Sequence, residues 1–209
     1  MRLKFAGLSV LVLGLCGSPM LKADVCSGVA GNVVSNCGFE TGSLAPWMVS
    51  GADAGLGGGL NGAYYGTEMS DPFDGGLPHS GSYEAYLAPV DGLTLSETLP
   101  TVAGRNYFVS FALRNDALPP NYTNDFVVMF GGNTLGTISD LGAGGYGTYT
   151  FASTAVGTST SLAFFTLNPA GQFDLDDVSV VQTPEPGTFV LLGTGVAGLA
   201  GFVRRRIAG

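Results

Sequence analysis

Few side chains in this sequence are equipped for catalysis, and their spacing argues against it. His79 is the only histidine, so any Ser-His-Asp relay would depend on it alone. No G-x-S-x-G elbow is present. Glu68, Asp71, Asp74 and Glu84 could in principle supply two catalytic carboxylates, but no spacing couples two of them. One His and few Cys make a zinc centre a poor fit. Gly142-Ala143-Gly144-Gly145-Tyr146-Gly147 fits G-x-G-x-x-G, yet it runs into a Thr/Tyr strand pattern and not a helix, so it is a glycine-rich turn. Asn121-Tyr122-Thr123 fits a glycosylation sequon and carries little weight by itself. No metal-free or metal-dependent active site emerges, and the chain is expected not to be an enzyme.

The carboxylates that remain are better placed for binding. Glu40 follows an early strand, and Asp176-Asp177 lie in the last one. If Val178 and Val180 face inward, Asp176 shares their face by period two. A carboxylate on an inward face needs a partner, either a cation or N–H and Arg donors. Between Asp24 and Thr183 stand 15 acidic residues against Arg105 and Arg114 alone, a formal charge of −13. Such a surface repels nucleic acid and attracts cations. Trp47, the only tryptophan, reads either as a platform for a sugar ring or, favoured by its position, as core. Tyr64, Tyr65, Tyr122 and Tyr146 fall in expected loops, where aromatic faces could stack on a glycan; Tyr64, Tyr65 and Tyr122 are the candidate contacts.

Both ends of the chain are specialised. Arg2 and Lys4, the apolar run Leu8–Leu15 and Leu21-Lys22-Ala23 form the three parts of a signal peptide over residues 1–23. The alternative, a lipoprotein at Cys16, suffers from the bulk of Leu15. With Cys16 removed, Cys26 and Cys37 are left in an oxidising compartment, which favours a disulfide over two free thiols. At the other end, Pro184-Glu185-Pro186 precedes an uncharged apolar segment, Gly187–Val203, and then Arg204-Arg205-Arg206. The segment has 17 residues, five of them glycine. As a helix it would measure ~25 Å at about 1.5 Å per residue, short for a hydrocarbon core of about 30 Å. The three arginines would hold that end on the cytoplasmic side.

Between the ends the pattern is that of strands. Val33-Val34, Trp47–Val49, Ser82–Leu87, Leu93–Leu99, Tyr107–Leu113, Phe126–Phe130, Thr148–Phe151, Leu162–Leu167 and Phe173–Val181 are predicted strands, most with period-two alternation. Phe126–Phe130 is apolar on both faces and is expected to be central. Residues 53–80, rich in glycine, read as a surface loop or several short pieces. No stretch shows a helical period. The expected architecture is an all-β sandwich over residues 24–182, followed by the tail segment 183–209.

Two resemblances sharpen this. The order of Pro184-Glu185-Pro186, a Gly-rich apolar helix and terminal arginines resembles the PEP-CTERM sorting signal of Gram-negative bacteria. The resemblance implies that the Sec machinery exports the chain, that the helix at about 187–203 anchors it in the inner membrane before processing, and that an exosortase then recognises the motif and delivers it to the cell surface or extracellular matrix, in a setting of exopolysaccharide and biofilm. Second, Val34-Ser35-Asn36-Cys37-Gly38-Phe39-Glu40-Thr41-Gly42 with Trp47, the strand start His79-Ser80-Gly81-Ser82-Tyr83, and Phe173-Asp174-Leu175-Asp176-Asp177-Val178-Ser179-Val180 resemble the opening, middle and last strand of galactose-binding-like jelly rolls, which include carbohydrate-binding modules. Cys37 departs from the usual Gly. This resemblance implies a jelly-roll β-sandwich whose ends meet, with Glu40, Asp176 and Asp177 as candidate ligands of a structural calcium, an ion that takes six to eight oxygens. The function expected is a structural or interaction role in the envelope; the alternatives are recognition of exopolysaccharide and, last, a secreted glycan-active hydrolase.

Overall fold

The computed structural model describes residues 23–56, 65–70, 75–184 and 194–195. Residues 1–22 of the expected signal peptide, Tyr64, Glu185, Pro186, nearly all of the apolar tail segment and Arg204–Arg206 lie outside the described residues. Among the described residues no helix is long and apolar enough to cross a membrane.

Among the described residues, ten strands form two antiparallel five-stranded sheets. They are β1 (Met48–Gly51), β2 (Tyr65–Glu68), β3 (Glu84–Leu87), β4 (Leu93–Pro100), β5 (Asn106–Asn115), β6 (Asp125–Phe130), β7 (Asn133–Ser139), β8 (Gly147–Thr154), β9 (Ser159–Leu167) and β10 (Phe173–Gln182). One sheet runs β1-β4-β9-β6-β7 and the other β2-β3-β10-β5-β8. The chain changes sheet repeatedly, so apart from β2-β3 and β6-β7 the neighbours within a sheet are distant in sequence. Period two supplies the core: Leu93, Leu95 and Leu99, Phe126, Val128 and Phe130, and Leu162 and Phe164 face Ala85 and Leu87, Val109, Phe111 and Leu113, and Phe173 and Leu175. Trp47 is core, its ring 5.9 Å from those of Phe39 and Phe164.

Four expectations change. Val33-Val34 is not a strand; the only pairing there is a bridge from Asn32 to Val181. β6 is interior to its sheet, between β9 and β7, but Val127 and Met129 are only half-buried, so one face carries the core. Two strands were not anticipated: β2, inside the glycine-rich stretch, and β7. Both are sheet edges. An edge strand pairs on one side and buries little, so its apolar pattern is weak.

The fourth change is in β10. A register shift lies between Asp176 and Ser179, and Asp177 adopts φ 51°. This bulge inserts one extra residue and flips the alternation. Phe173 and Leu175 face the core before it and Val178 and Val180 after it. Asp176 therefore does not share the face of Val178; it lies opposite Ala112, on the outer face with Asp174.

Candidate functional site

The three motif segments meet through hydrogen bonds from N–H donors to carboxylates. Glu40 Oε1 accepts the N–H groups of Ser82 and Tyr83 at 2.8 and 2.9 Å. Asp176 accepts from Ser80 N–H (2.9 Å) at Oδ2 and from Asp177 N–H (2.7 Å) at Oδ1. Asp177 accepts the Cys26 N–H (3.1 Å) and the Ser80 hydroxyl (2.7 Å) at Oδ1, while its Oδ2 lies 2.6 Å from His79 Nδ1. Gly81 is required: at φ 60°, a Cβ there would sit 2.0 Å from Glu40 Oε1. The opening segment is tied to β10 by Val178 N–H to Cys37 O, 2.9 Å, and by Val33 N–H to Val180 O, 3.1 Å. Cys26 and Cys37 form a disulfide with Cα atoms 6.0 Å apart.

This arrangement does not fit a cation at Glu40, Asp176 and Asp177. All four oxygens of Asp176 and Asp177 and Oε1 of Glu40 already face hydrogen-bond partners, mostly N–H donors whose positive ends point where an ion would sit. Among the described residues, two acidic or thiol groups do converge within 4.8 Å: Asp24 with Cys26 and Cys37, and Glu68 with Glu84 and Asp174. The first is spent, because its cysteines are joined. The second surrounds an arginine.

That second group is the centre of the outer face of the β2-β3-β10-β5-β8 sheet. Register places Asp174 directly between Tyr86 of β3 and Arg114 of β5. Glu84, Asp174 and Asp176 are 0% exposed and Arg114 only 5%. Arg114 Nη2 lies 2.6 Å from Asp174 Oδ2 and 3.8 Å from Glu84 Oε1. Gln172 Nε2 donates to Asp174 Oδ1 at 2.7 Å and to Glu68 Oε1. Tyr146 donates its hydroxyl to Glu84 Oε2 and sets its ring 5.6 Å from the Arg114 guanidinium carbon, a cation–π contact. His79 meets the Tyr146 ring edge-on at 5.2 Å. The Gly76 backbone lies against the guanidinium, where a Cβ would come within 2.0 Å of Arg114 Nη1.

Two buried carboxylates, Asp174 and Glu84, share one arginine, and a third, Asp176, lies beside them. Burial pushes Asp174 up to about 9, with the Glu84 charge adding to the rise and Arg114 opposing it. Burial pushes Asp176 up to about 8 against the hydrogen bond from Ser80. Burial, then Glu84, raises the Tyr146 hydroxyl, so it stays a donor. Tyr86 is raised by burial and by Glu68. The face thus presents carboxyl, carboxylate, amide, guanidinium and phenol groups within one small area, with Glu68, Tyr86, Tyr146 and His79 at its half-buried rim.

Sequence reasoning lists Glu84 among acids that no spacing couples and gives Arg114 no role beyond the charge balance. The available signal was that Arg114 is one of two arginines in the domain and falls in the same phase as Glu84 and Asp174 on predicted strands. What it lacked was the strand order that makes these strands neighbours. Of the tyrosines, Tyr65 is half-buried and packs against the core, its hydroxyl donating to Ala54 O at 2.7 Å. Tyr122 is 51% exposed in the β5–β6 loop.

Residues 182–206 match the PEP-CTERM protein-sorting motif. No curated protein matches the chain. Among solved structures the chain is similar to the carbohydrate-binding module TmCBM61, solved in complex with β-1,4-galactotriose: 19% identity, 73% of this chain, 99% of that one, TM-score 0.51. It is also similar to the enzymatically active domain of tailspike protein 4 of bacteriophage CBA120, at 17% identity, 73% of this chain, 21% of that one and TM-score 0.50. The chain therefore carries the sorting motif on a two-sheet sandwich of the carbohydrate-binding-module jelly-roll type.

Proposed function

We propose that the chain is an exported protein delivered by an exosortase to the cell surface or extracellular matrix, and that its sandwich recognises carbohydrate through the outer face of the β2-β3-β10-β5-β8 sheet. The observation that carries the second part is the composition of that face. Planar hydrogen-bonding groups on Glu68, Glu84, Asp174, Gln172 and Arg114 stand beside two tyrosines, Tyr86 and Tyr146. The half-buried Glu68 carboxylate and His79 imidazole can meet the vicinal hydroxyls of a sugar, and the faces of Tyr86 and Tyr146 its C–H surface. Tyr86, Tyr146, Glu68 and His79 would touch the ligand; Arg114, Asp174 and Glu84 would orient them. Tyr122, exposed in a neighbouring loop, and Tyr64 are further candidate contacts. No hydrolytic step is assigned.

The likeness to TmCBM61 makes β-1,4-linked galactose oligomers the first ligands to test. Calorimetric titration of residues 24–183, with a glycan array for breadth, should show binding that Tyr86→Ala weakens and Tyr122→Ala weakens less. An array without hits on a folded domain would refute carbohydrate recognition. A second reading, a structural role in the envelope or matrix, is favoured by the full burial of Glu84, Asp174 and Asp176: polar groups that satisfy one another can serve as the interior of a rigid face. The sorting part is tested by intact mass of the surface protein. A carboxyl end near Pro184 supports it, and a mass running through Gly209 refutes it.

A further inference from the structure

The point where the sorting tail leaves the domain is fixed. Thr183, one residue beyond β10, donates its N–H to Asn106 O at 2.8 Å, and its hydroxyl approaches the same carbonyl at 3.3 Å. The exit thus belongs to the end of the sandwich that also carries the β4–β5, β6–β7 and β8–β9 turns. The first and last of these are locked together. Thr101 N–H donates to Thr158 O (3.0 Å), Gly104 N–H to Ala155 O (2.7 Å) and Ala155 N–H to Arg105 O (2.9 Å).

The surface of this end differs from the rest of the domain. Val102 and Val156, at the turn tips, are 51% and 73% exposed, and Phe108, two residues up β5 on the outer face, is 51% exposed. Residues 100–107, 130–134 and 153–162 contain no acidic side chain, in a domain of formal charge −13, and they include Arg105. Glu97, the carboxylate nearest along these segments, is buried and accepts the Ser35 N–H. Asp53, Asp91, Asp116, Asp125 and Asp140 lie in or beside the loops of the opposite end.

We propose that this end of the domain rests on the lipid bilayer while the tail is inserted, with Val102, Val156 and Phe108 in the headgroup layer and the acid-rich end held away from it. The proposal builds on the reading of residues 187–203 as a membrane span. Only Pro184, Glu185 and Pro186 separate Thr183 from that segment, and three residues reach at most ~10 Å. The end that carries Thr183 therefore has to lie at the interface. Apolar side chains on turn tips gain by entering that layer, and a carboxylate-free surface avoids repulsion by anionic lipid. A second copy of the chain is the rival occupant of the same apolar tips.

The test uses residues 24–209, the chain after loss of the expected signal peptide, reconstituted in phosphatidylethanolamine–phosphatidylglycerol vesicles at a dilution that leaves most vesicles with a single chain. An environment-sensitive dye is placed at Val156→Cys, Tyr122→Cys or Leu191→Cys, and a lipid-borne headgroup quencher is added. The expected result is strong quenching at 191 and 156, little at 122, and loss of quenching at 156 when Val102→Asp and Phe108→Asp are combined. Quenching at 191 without quenching at 156 would overturn the proposal and leave the span intact. Quenching at 122 equal to that at 156 would overturn the orientation. Cross-linking between copies through position 156, in place of lipid contact, would assign the surface to self-association. Absence of quenching at 191 would overturn the span reading and the proposal together.

Discussion

Raising the pH from 5 to 8 should destabilise this domain, and Asp176 is the residue through which the effect can be worked. Its side chain is 0% exposed and sits opposite Ala112 on the polar outer face. Burial pushes it up to about 8 in the folded state, against ~3.9 in an unfolded chain. Below pH ~4 both states hold the proton and the penalty is absent. Between those values the folded state binds a proton that the unfolded chain has released, so stability falls as pH rises, and the loss is complete above the folded value. The slope is about 1.4 kcal/mol per pH unit for each proton so held. From pH 5 to 8 one aspartate would account for on the order of 4 kcal/mol, or ~10 °C in the melting temperature of a domain of this size. Asp174, pushed up to about 9 by burial and the Glu84 charge, adds in the same direction. The assay is thermal unfolding of residues 24–183 followed by circular dichroism at several pH values, with Asp176→Asn as the comparison. The variant should show a shallower dependence by about one proton, whatever its absolute stability. General repulsion among surface acids would act equally on both proteins. A melting temperature that stays level or rises from pH 5 to 8, or a variant with the same slope as the parent, would refute the protonated-carboxyl account.

Arg114→Met should lower stability by about 3–5 kcal/mol, measured by urea unfolding, because it leaves Glu84 buried without its cation and Asp174 Oδ2 without its donor. Gly81→Ala places a Cβ against the Glu40 carboxylate at a positive φ and should cost at least ~1 kcal/mol in the same assay. Reducing the Cys26–Cys37 disulfide, which closes a short loop, should cost about 2–3 kcal/mol. Removal of calcium with EDTA should leave the melting temperature unchanged, because N–H donors and His79 already occupy the oxygens of Asp176 and Asp177; a clear drop would restore the calcium proposal for Glu40, Asp176 and Asp177.

Alternation and composition determined much of this protein without any coordinates. Leu93, Leu95 and Leu99 or Val109, Phe111 and Leu113 must line one face of a strand, because side chains alternate strictly along an extended backbone. The sorting tail is equally local: its prolines, apolar segment and arginines act in sequence order, and no folding is needed to read them. The motif Glu40, the stretch from His79 to Tyr83, and Asp176-Asp177 was also legible, as was the meeting of its ends. Its chemistry was not. Whether Glu40 and Asp176 hold an ion or accept N–H groups depends on where Ser80, Ser82 and Tyr83 point their backbones. The bulge at Asp177 is a second limit, because a single residue at positive φ reverses the face of everything beyond it. The polar cluster is a third. Glu84, Arg114 and Asp174 are separated by 30 and then 60 residues, and only the order β3-β10-β5 sets them side by side. Sequence fixes which face of its own strand a side chain occupies; which strand becomes its neighbour is decided by the sandwich as a whole, because pairing joins segments whose contacts are long-range and whose patterns are interchangeable.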